Sequence, residues 1–336
     1  MQHNTRYFLG TTTPQGFYNT LQDMKQKGEI NRLFLIKGGP GSGKSGLMKR
    51  LANYYDEKGE ATQSFYCSSD PNSLDAVYNP ARRVAFVDAT APHEMSPRYP
   101  GAFESVIELS GGFNTDYLQN HREEIMRLCN TCDSLHFQAK QYITAAKAVK
   151  TAVADRAAQY LSNRLCKTAY NLKTRPFSTR ILSAISNKKC IFFADAVEGC
   201  SNTVALCDPY GAAGAGVINR FVNTAEDGAI LGLCPLTLAP EHLIMPQIDT
   251  AITVKNGYHN AKSSITFEKD MLYKNMPKDE EAQLDRSVGQ VQKLVKTACE
   301  YKEKAYQIHT KIEEYYINSM DFSVVDAAFE KYKDAQ

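Results

Sequence analysis

The sequence predicts an α/β protein whose parallel sheets lie in two tandem repeated units, each followed by a long helix. Three observations lead to this prediction. In the first half, an apolar run, an amphipathic helix and two further apolar runs follow one another. A long helical pattern closes each half. Short motifs of the first half recur, in the same order, in the second half.

The first unit opens with the elements of a parallel sheet. Residues 32–37 form an apolar run that ends in glycines, which is typical of a buried parallel strand. Apolar residues follow at helical spacing over residues 47–58, and Gly59 provides a stop signal. Residues 61–67 alternate as a second strand, and residues 84–87 form a third.

Two long helices are predicted from apolar residues that recur in steps of three and four. These seams run through residues 125–153 and 284–315. We expect the two helices to pack on each other, or each on its own unit, rather than in an intermolecular coiled coil. The first seam also contains the CxxC pair Cys129 and Cys132. Packing explains this pair better than a metal or redox role, because no second pair accompanies it.

An internal repeat relates the two halves. The matched positions and their offsets are Arg6 and Arg180 (174), residues 41–51 and 211–221 (170), Cys67 and Cys234 (167), Pro80 and Pro246 (166), and Lys140 and Lys304 (164). The offset falls steadily, as small deletions in one copy would produce, whereas chance matches would scatter. We therefore predict units at residues 1–175 and 176–336, with the boundary near residues 173–176.

The stretch GGPGSGKS at residues 38–45 satisfies the phosphate-loop pattern GxxxxGK[ST]. It lies between an apolar strand and an amphipathic helix, which is the context that the pattern requires. Such a loop wraps closely around phosphate, so that backbone N–H groups and a helix N-terminus face the anion. We expect ATP or another purine nucleoside triphosphate to bind here with Mg²⁺, at Gly38, Gly39, Pro40, Gly41, Ser42, Gly43, Lys44, Ser45 and Gly46.

Three side chains are candidates for the chemistry at this loop. Lys44 is expected to reach the β- and γ-phosphates, and the Ser45 hydroxyl to ligate Mg²⁺. Asp88 ends the run VAFVD, the Walker B form, in which the acid orients Mg²⁺ or its water. Ala89 follows where many mechanical ATPases carry a catalytic glutamate, so a fast motor-type hydrolase is not expected.

Asp70 and His93 are the candidates for a general base. Asp70, in CSSDPNSLD, stands where several small-molecule kinases place the carboxylate that accepts the substrate hydroxyl proton. A turn or helix cap before Pro71 is the plainer interpretation of Asp70. His93 has a counterpart, His259, in the unit that lacks a phosphate loop, which favours a packing role for both histidines.

The second unit has lost the residues that bind phosphate and metal. Gly214 stands opposite Lys44, Ala215 opposite Ser45, and Val254 opposite Asp88. Without a cation or a metal ligand, the charge of a bound nucleotide would be poorly compensated. Its strands, predicted at residues 204–207, 230–233 and 251–254, remain apolar enough to pack. We expect one working site per chain.

Composition and charge set the class of protein. The chain has 336 residues, of which 43% are hydrophobic and 23% charged, and a formal net charge of +2. It shows no signal-peptide pattern and no apolar run of membrane length, which predicts a cytoplasmic location without a membrane partner. Nine scattered cysteines are typical of reduced thiols. Residues 134–190 carry eleven basic residues and one acid. We expect these basic residues to form ion pairs with acids of the second long helix rather than to bind a nucleic acid.

The motifs resemble a family of uncharacterised bacterial ATPase-like proteins with two P-loop NTPase domains in tandem. The resemblance covers nearly the whole chain and rests on RYFLG, FLIKGGPGSGKSGLMKRL, CSSDPNSLD, VAFVDATAPH and RILSAIS. It implies nucleotide binding and ATPase-like chemistry. Two functions remain open: a slow ATPase or nucleotide-dependent switch read by a protein partner, and a kinase that transfers the γ-phosphate of ATP to a small-molecule hydroxyl.

Overall fold

Two six-stranded sheets form the frame of the protein in the computed structural model, which describes residues 4–13, 16–91, 94–161, 178–222, 225 and 228–335. Both sheets are mostly parallel, and each is followed by a long helix. The predicted α/β class is confirmed at this level. The predicted boundary between the units, near residues 173–176, lies outside the described residues.

The first unit begins with a strand and a hairpin and ends in a helix of 37 residues. Its elements, in chain order, are β1 (Asn4–Phe8), β2 (Gly10–Thr13), β3 (Gly16–Asn19), α1 (Thr20–Gln26), β4 (Arg32–Lys37), α2 (Lys44–Glu57), β5 (Thr62–Tyr66), β6 (Leu74–Asn79), β7 (Val84–Asp88), β8 (Glu104–Glu108), α3 (Thr115–Asn120) and α4 (Arg122–Ala158). A 3-10 turn, Ser110–Gly112, precedes α3.

The second unit has the same plan and ends in two helices. Its elements are β9 (Ser178–Arg180), β10 (Ser183–Ile185), β11 (Cys190–Phe192), α5 (Asp195–Glu198), β12 (Asn202–Cys207), α6 (Ala213–Val222), β13 (Ile230–Leu233), β14 (Pro240–Met245), β15 (Thr250–Lys255), β16 (Ile265–Phe267), α7 (Lys269–Leu272), α8 (Lys278–Ser319) and α9 (Ser323–Tyr332). Another 3-10 turn, Pro246–Ile248, joins β14 to β15.

The second sheet repeats the strand order of the first. The orders are β1-β5-β6-β7-β4-β8 and β9-β13-β14-β15-β12-β16, so strands that correspond in sequence also correspond in position. In each sheet the third strand of this order, β6 or β14, is antiparallel to both of its neighbours, and the other pairs are parallel. The prediction of wholly parallel sheets is wrong at this strand. β6 is buried along its whole length although it contains Asp75 and Asn79, whose polarity concealed it in the sequence.

The strands and helices that the sequence did predict are confirmed. β4, β5 and β7 lie at the three runs expected in the first unit, and β12, β13 and β15 lie at those expected in the second. α2 begins three residues before the predicted helix, at Lys44, and ends one residue before its predicted end, at Glu57.

The two long helices pack against each other along much of their length. Leu128 and Cys132 of α4 lie in one buried cluster with Ala305 and Ile312 of α8. A second cluster brings Ile143 and its neighbours on α4 against residues 291–299 of α8. The prediction that the two seams meet within one chain is confirmed. In the part of the chain that the structure describes, no helix combines the length and apolar character needed to cross a bilayer.

The two units share their cores. The N–H of Phe8, at the end of β1, donates to the Ile181 carbonyl at 2.8 Å, which joins the edges of the two sheets. Phe8 packs in the core of the second unit, where its ring stacks on Phe193 at 4.6 Å between centroids. In return, Leu182 and Ile244 of the second unit belong to the core of the first. Neither core is complete without the other unit.

Candidate functional site

The glycine-rich loop of residues 38–45 joins the end of β4 to the start of α2, as predicted. Gly43 precedes the helix with φ of 87°, a left-handed conformation that favours glycine. At Gly38 a Cβ would lie only 2.5 Å from Ser42 Oγ, so a larger residue would require Ser42 to move. α2 has no side-chain cap at its N-terminus. Its first N–H groups are therefore available at the loop.

Lys44 and Asp88 meet beside this loop because β4 and β7 are adjacent parallel strands. Lys44 Nζ lies 3.7 Å from Asp88 Oδ2 and 2.8 Å from the carbonyl oxygens of both Gly38 and Gly39. The other oxygen, Asp88 Oδ1, accepts hydrogen bonds from the N–H (2.9 Å) and the hydroxyl (2.5 Å) of Thr90. The sheet topology thus brings the predicted cation and the predicted acid together at one edge.

The loop that follows β5 reaches the start of α2. The Leu74 N–H donates to Ser45 Oγ at 2.9 Å, and Lys49 Nζ donates to the Asn72 carbonyl at 2.6 Å. Within this loop Asp70 closes a turn, because its Oδ1 accepts the N–H of Asn72 at 3.0 Å. Asp70 therefore has the turn role that the sequence suggested, and its loop is tied to Ser45. A role for Asp70 in proton transfer remains a proposal.

The end of α8 and the start of α9 cover the outer side of the glycine-rich loop. A Cβ added at Gly39, Gly41 or Gly43 would lie 3.0, 2.9 or 3.0 Å from the side chains of Tyr316, Ile317 and Val325, respectively. An ion pair of 2.6 Å between Arg50 and Asp326 fastens α9 to α2. The loop that the sequence assigns to the first unit is therefore also in contact with the C-terminal helices.

The corresponding loop of the second unit holds a carboxylate of its own. Asp208 follows β12, at the position of the first glycine of the motif, and is buried. Its Oδ1 accepts the N–H groups of Tyr210 (3.1 Å) and Gly211 (2.9 Å), and its Oδ2 accepts that of Gly214 (2.8 Å). The Tyr273 hydroxyl adds a hydrogen bond of 2.7 Å to Oδ1. An anion of the protein itself thus occupies this nest of N–H groups.

Tyr273 is part of the same arrangement. Besides donating to Asp208, its hydroxyl accepts the Ala213 N–H at 3.0 Å, at the start of α6. Burial, together with the neighbouring Asp208 carboxylate, raises the pKa of Tyr273 well above its usual range. The hydroxyl therefore keeps its proton and remains a donor to Asp208.

Gly214 and Val254 are sterically linked in the second unit. They stand at the positions of Lys44 and Asp88, and a Cβ on Gly214 would overlap Val254 Cγ2. A lysine cannot occupy this position while the valine fills the space beside it. Ala215, the next residue, supplies no hydroxyl. These contacts give a physical reason for the predicted loss of chemistry in this loop.

Other residues that the sequence singled out lie away from the loop. His93 is outside the described residues. His259 is buried, and its Nε2 lies 2.8 Å from Ser183 Oγ. Cys132 is buried between α4 and α8, whereas Cys129 is half-buried, and the eight cysteines that the structure describes are all free thiols.

The basic segment of residues 134–190 forms several ion pairs within the chain. Its charged partners are Glu241 for Lys150 (2.9 Å), Glu280 for Arg156 (2.6 Å) and Glu29 for Arg180 (2.7 Å). The pair between Arg156 and Glu280 joins α4 to α8. These contacts agree with the interpretation that part of this charge serves internal pairing.

The sequence contained a signal for one functional feature that was missed. Asp208 directly follows an apolar strand, where the first unit has Gly38, and an acid at this point of the motif suggests an internal anion. The cover over the glycine-rich loop had no such signal, because Ile317 and Val325 lie in an ordinary helical pattern far along the chain.

Comparison with known protein families gives a match for the first unit. Residues 18–136 match the family model described as nephrocystin 3, N-terminal. The matched range contains the glycine-rich loop, β7 and the start of α4, about a third of the chain. It supports a relationship for this region only, and nothing in the comparisons supports the bacterial tandem family. No curated protein and no solved structure matched the chain.

Proposed function

We propose that the protein binds a purine nucleoside triphosphate with Mg²⁺ at one site per chain, and that it acts as a slow ATPase or a nucleotide-dependent switch. The observation that carries the proposal is the 3.7 Å approach of Lys44 Nζ to Asp88 Oδ2, beside the uncapped N-terminus of α2. A cation, an acid and a helix N-terminus at the carboxyl ends of two parallel strands are the components of a phosphate–metal site.

Each group in the loop has a role in this proposal. Backbone N–H groups at the start of α2 bind phosphate oxygens. Lys44 exchanges its hydrogen bonds to the Gly38 and Gly39 carbonyls for contacts with phosphate. The Ser45 hydroxyl and Asp88 would hold Mg²⁺, and this all-oxygen donor set suits that ion. When bound, Mg²⁺ offsets the negative charge of the phosphates.

Hydrolysis at this site is expected to be slow. One carboxylate oxygen of Asp88 accepts hydrogen bonds from Thr90, and the other lies 3.7 Å from the Lys44 ammonium. The next residue, Ala89, supplies no carboxylate to activate a water molecule, and its carbonyl accepts a hydrogen bond of 2.7 Å from Lys37 Nζ. The site is thus better suited to binding and orienting phosphate than to rapid turnover.

The contacts of the C-terminal helices support the switch. Three side chains of the C-terminal helices contact the glycine-rich loop: Tyr316, Ile317 and Val325. A displacement of the loop backbone would therefore shift the end of α8 and the start of α9. Such packed contacts respond to small displacements because there is little free space between them. In this proposal a partner protein recognises the resulting position of the C-terminal helices.

Isothermal titration calorimetry on the full chain tests the binding site. Lys44→Ala should abolish Mg·ATP binding without loss of helical content, because Lys44 supplies the cation of the loop. Lys49→Ala is the matched control, since Lys49 is an exposed lysine on the same helix whose ammonium donates to the Asn72 carbonyl. Wild-type affinity in Lys44→Ala would rule out the proposed site.

A small-molecule kinase is the second candidate, and the hydrogen bond from Leu74 to Ser45 favours it. This bond holds the loop with Asp70 next to the start of α2, where an acceptor hydroxyl could approach the γ-phosphate. Product analysis after incubation with ATP and a metabolite mixture separates the two functions. A phosphorylated metabolite that disappears in Asp70→Asn supports the kinase, whereas ADP and inorganic phosphate alone support the ATPase.

A further inference from the structure

A buried group of two histidines and a glutamate lies at the carboxyl edge of the second sheet, away from the glycine-rich loop of residues 38–45. Glu241 and His242 belong to β14, and His259 follows β15. All three are buried, and His242 is 0% exposed. One potential ligand atom from each residue lies within 4.8 Å of the others. The fold therefore brings two imidazoles and a carboxylate close together.

Each of the three side chains also makes a polar contact with a residue outside the group. His242 Nδ1 lies 2.8 Å from Thr253 Oγ1, His259 Nε2 lies 2.8 Å from Ser183 Oγ, and Glu241 Oε1 accepts from Lys150 Nζ at 2.9 Å. Such partners fix the rotamer of a ligand and direct its other atom inward, as outer-shell groups do in metal centres.

The atoms that face inward are short of partners. In the described part of the chain, His242 Nε2 and Glu241 Oε2 have no hydrogen-bond partner although both are buried. His259 Nδ1 lies 3.6 Å from Glu241 Oε2 and 3.4 Å from Asn256 Nδ2. Buried polar atoms are nearly always satisfied, so His242 Nε2 and Glu241 Oε2 are two donor atoms that a bound ion could satisfy.

We propose that Glu241, His242 and His259 bind a divalent transition-metal ion of the Zn²⁺ class. Two imidazole nitrogens and one carboxylate oxygen form a donor set that zinc accepts, whereas Mg²⁺ and Ca²⁺ prefer oxygen ligands alone. In the bound form His242 Nδ1–H donates to Thr253, which leaves the Nε2 lone pair for the metal.

Lys150 is the charged neighbour that opposes metal binding. Its ammonium donates to Glu241 Oε1 at 2.9 Å and so competes with a cation for this carboxylate. This competition limits the affinity of the site for metal.

The position of the group suggests a structural role. His259 borders a surface cavity of about 440 Å³, which Asn256, Asn260 and the cationic side chains of Lys255 and Lys269 also line. Through Lys150 and Ser183, the group also connects α4 and β10 to the second sheet. A bound metal would therefore stabilise the attachment of α4, the helix of the first unit, to the second unit.

Metal analysis of the full chain tests the proposal. After treatment with EDTA, incubation with Zn²⁺ and gel filtration, the wild-type chain should retain about one zinc per chain by mass spectrometry. His242→Gln and Glu241→Gln should each weaken zinc binding by about tenfold or more. His309→Gln, a change on α8 away from the group, is the control and should bind like wild type. Lys44→Ala should also retain zinc, since this site does not depend on the nucleotide.

Two further measurements keep the test independent of folding and of the cysteines. Zn²⁺ should raise the melting temperature of the wild-type chain and of His309→Gln relative to EDTA, but not that of His242→Gln or Glu241→Gln. Co²⁺ in the site should show no thiolate charge-transfer band. Three results would each overturn the proposal. They are unchanged zinc retention in both His242→Gln and Glu241→Gln, no zinc retained by the wild-type chain, and a strong thiolate band with Co²⁺.

Discussion

Arg180, at the end of the first strand of the second unit, forms an ion pair of 2.7 Å with Glu29 of the first unit. Its equivalent in the first unit, Arg6, pairs in the same way with Asp195 of the second unit at 2.6 Å. The two units therefore exchange arginine–carboxylate contacts across the line where β1 and β9 meet. The pairs differ in environment, because the side chain of Arg180 is 1% exposed and that of Arg6 is 46% exposed.

This difference predicts unequal effects of the same substitution. Arg180→Met should destabilise the protein by about 3–5 kcal/mol, because it leaves the carboxylate of Glu29 without its partner. Arg6→Met should cost under about 1 kcal/mol, since water screens the pair at the surface. Urea denaturation of the two variants measures the difference. Equal losses of stability would contradict this account of the interface.

The shared cores predict that neither unit is stable alone. Residues 1–175 would lose the cover of Ile317 and Val325 over the glycine-rich loop, and residues 176–336 would lose Phe8 from their core. Each half would expose an apolar face and should be poorly soluble when expressed separately. Light scattering and circular dichroism on the two halves test this. If residues 1–175 were monomeric, well folded and bound ATP like the full chain, the units would be independent and the switch proposal would fail.

The internal carboxylate predicts one nucleotide per chain. Asp208 occupies the second nest, so titration with Mg·ATP should saturate at a single site. Asp208→Ala should not create another site, but should destabilise the protein by about 3–5 kcal/mol because three N–H groups, two of them buried, lose their acceptor. Asp249→Ala, which removes an exposed acid bonded to the Ser201 N–H, is the control and should have a smaller effect. A stoichiometry of two would refute this interpretation.

The proposed metal ligands of the glycine-rich loop can be separated from its phosphate contacts. Ser45→Ala and Asp88→Asn should weaken nucleotide binding in the presence of Mg²⁺ by about tenfold or more, with a smaller effect in EDTA. Lys44→Ala should weaken binding under both conditions, because its contact is with phosphate. Calorimetry with and without Mg²⁺ distinguishes these cases. An equal loss in EDTA for Asp88→Asn would remove Asp88 from the metal site.

If the C-terminal helices sense the nucleotide, their backbone should become more protected when it binds. Amide hydrogen exchange of residues 313–325 should slow by about tenfold at saturating Mg·ATP, because this segment touches Gly39, Gly41 and Gly43. The same segment should not respond in Lys44→Ala. Exchange that stays unchanged in the wild-type chain, while calorimetry shows binding, would leave a simple ATPase as the better proposal.

Much of the candidate site could be predicted from neighbouring residues alone. The apolar run of β4, the glycines at 38–43 and the spacing of α2 are local patterns, and local backbone preferences are sufficient to form a loop between a strand and a helix. The position of Asp88 at the end of β7 follows from the same kind of pattern. The long helices were also predictable, because their apolar period extends over many turns.

β6 shows where local patterns fail. Its residues include Asp75 and Asn79, so the strand lacks the continuous apolar run or clean alternation that predicts a buried strand. It forms because β5 and β7 lie on either side of it and satisfy its backbone groups.

Local patterns were enough to predict the strand–loop–helix unit, the absence of counterparts of Lys44 and Asp88 in the second unit, and the two long helices. The contacts of Val325 with the loop at Gly43, of Arg180 with Glu29 and of Glu241 with His259 appear only in the folded chain. The reason is physical. Burial and ion pairing depend on which side chains the fold brings together and shields from water. The residues in each of these contacts are separated in sequence, so local patterns do not predict that they meet.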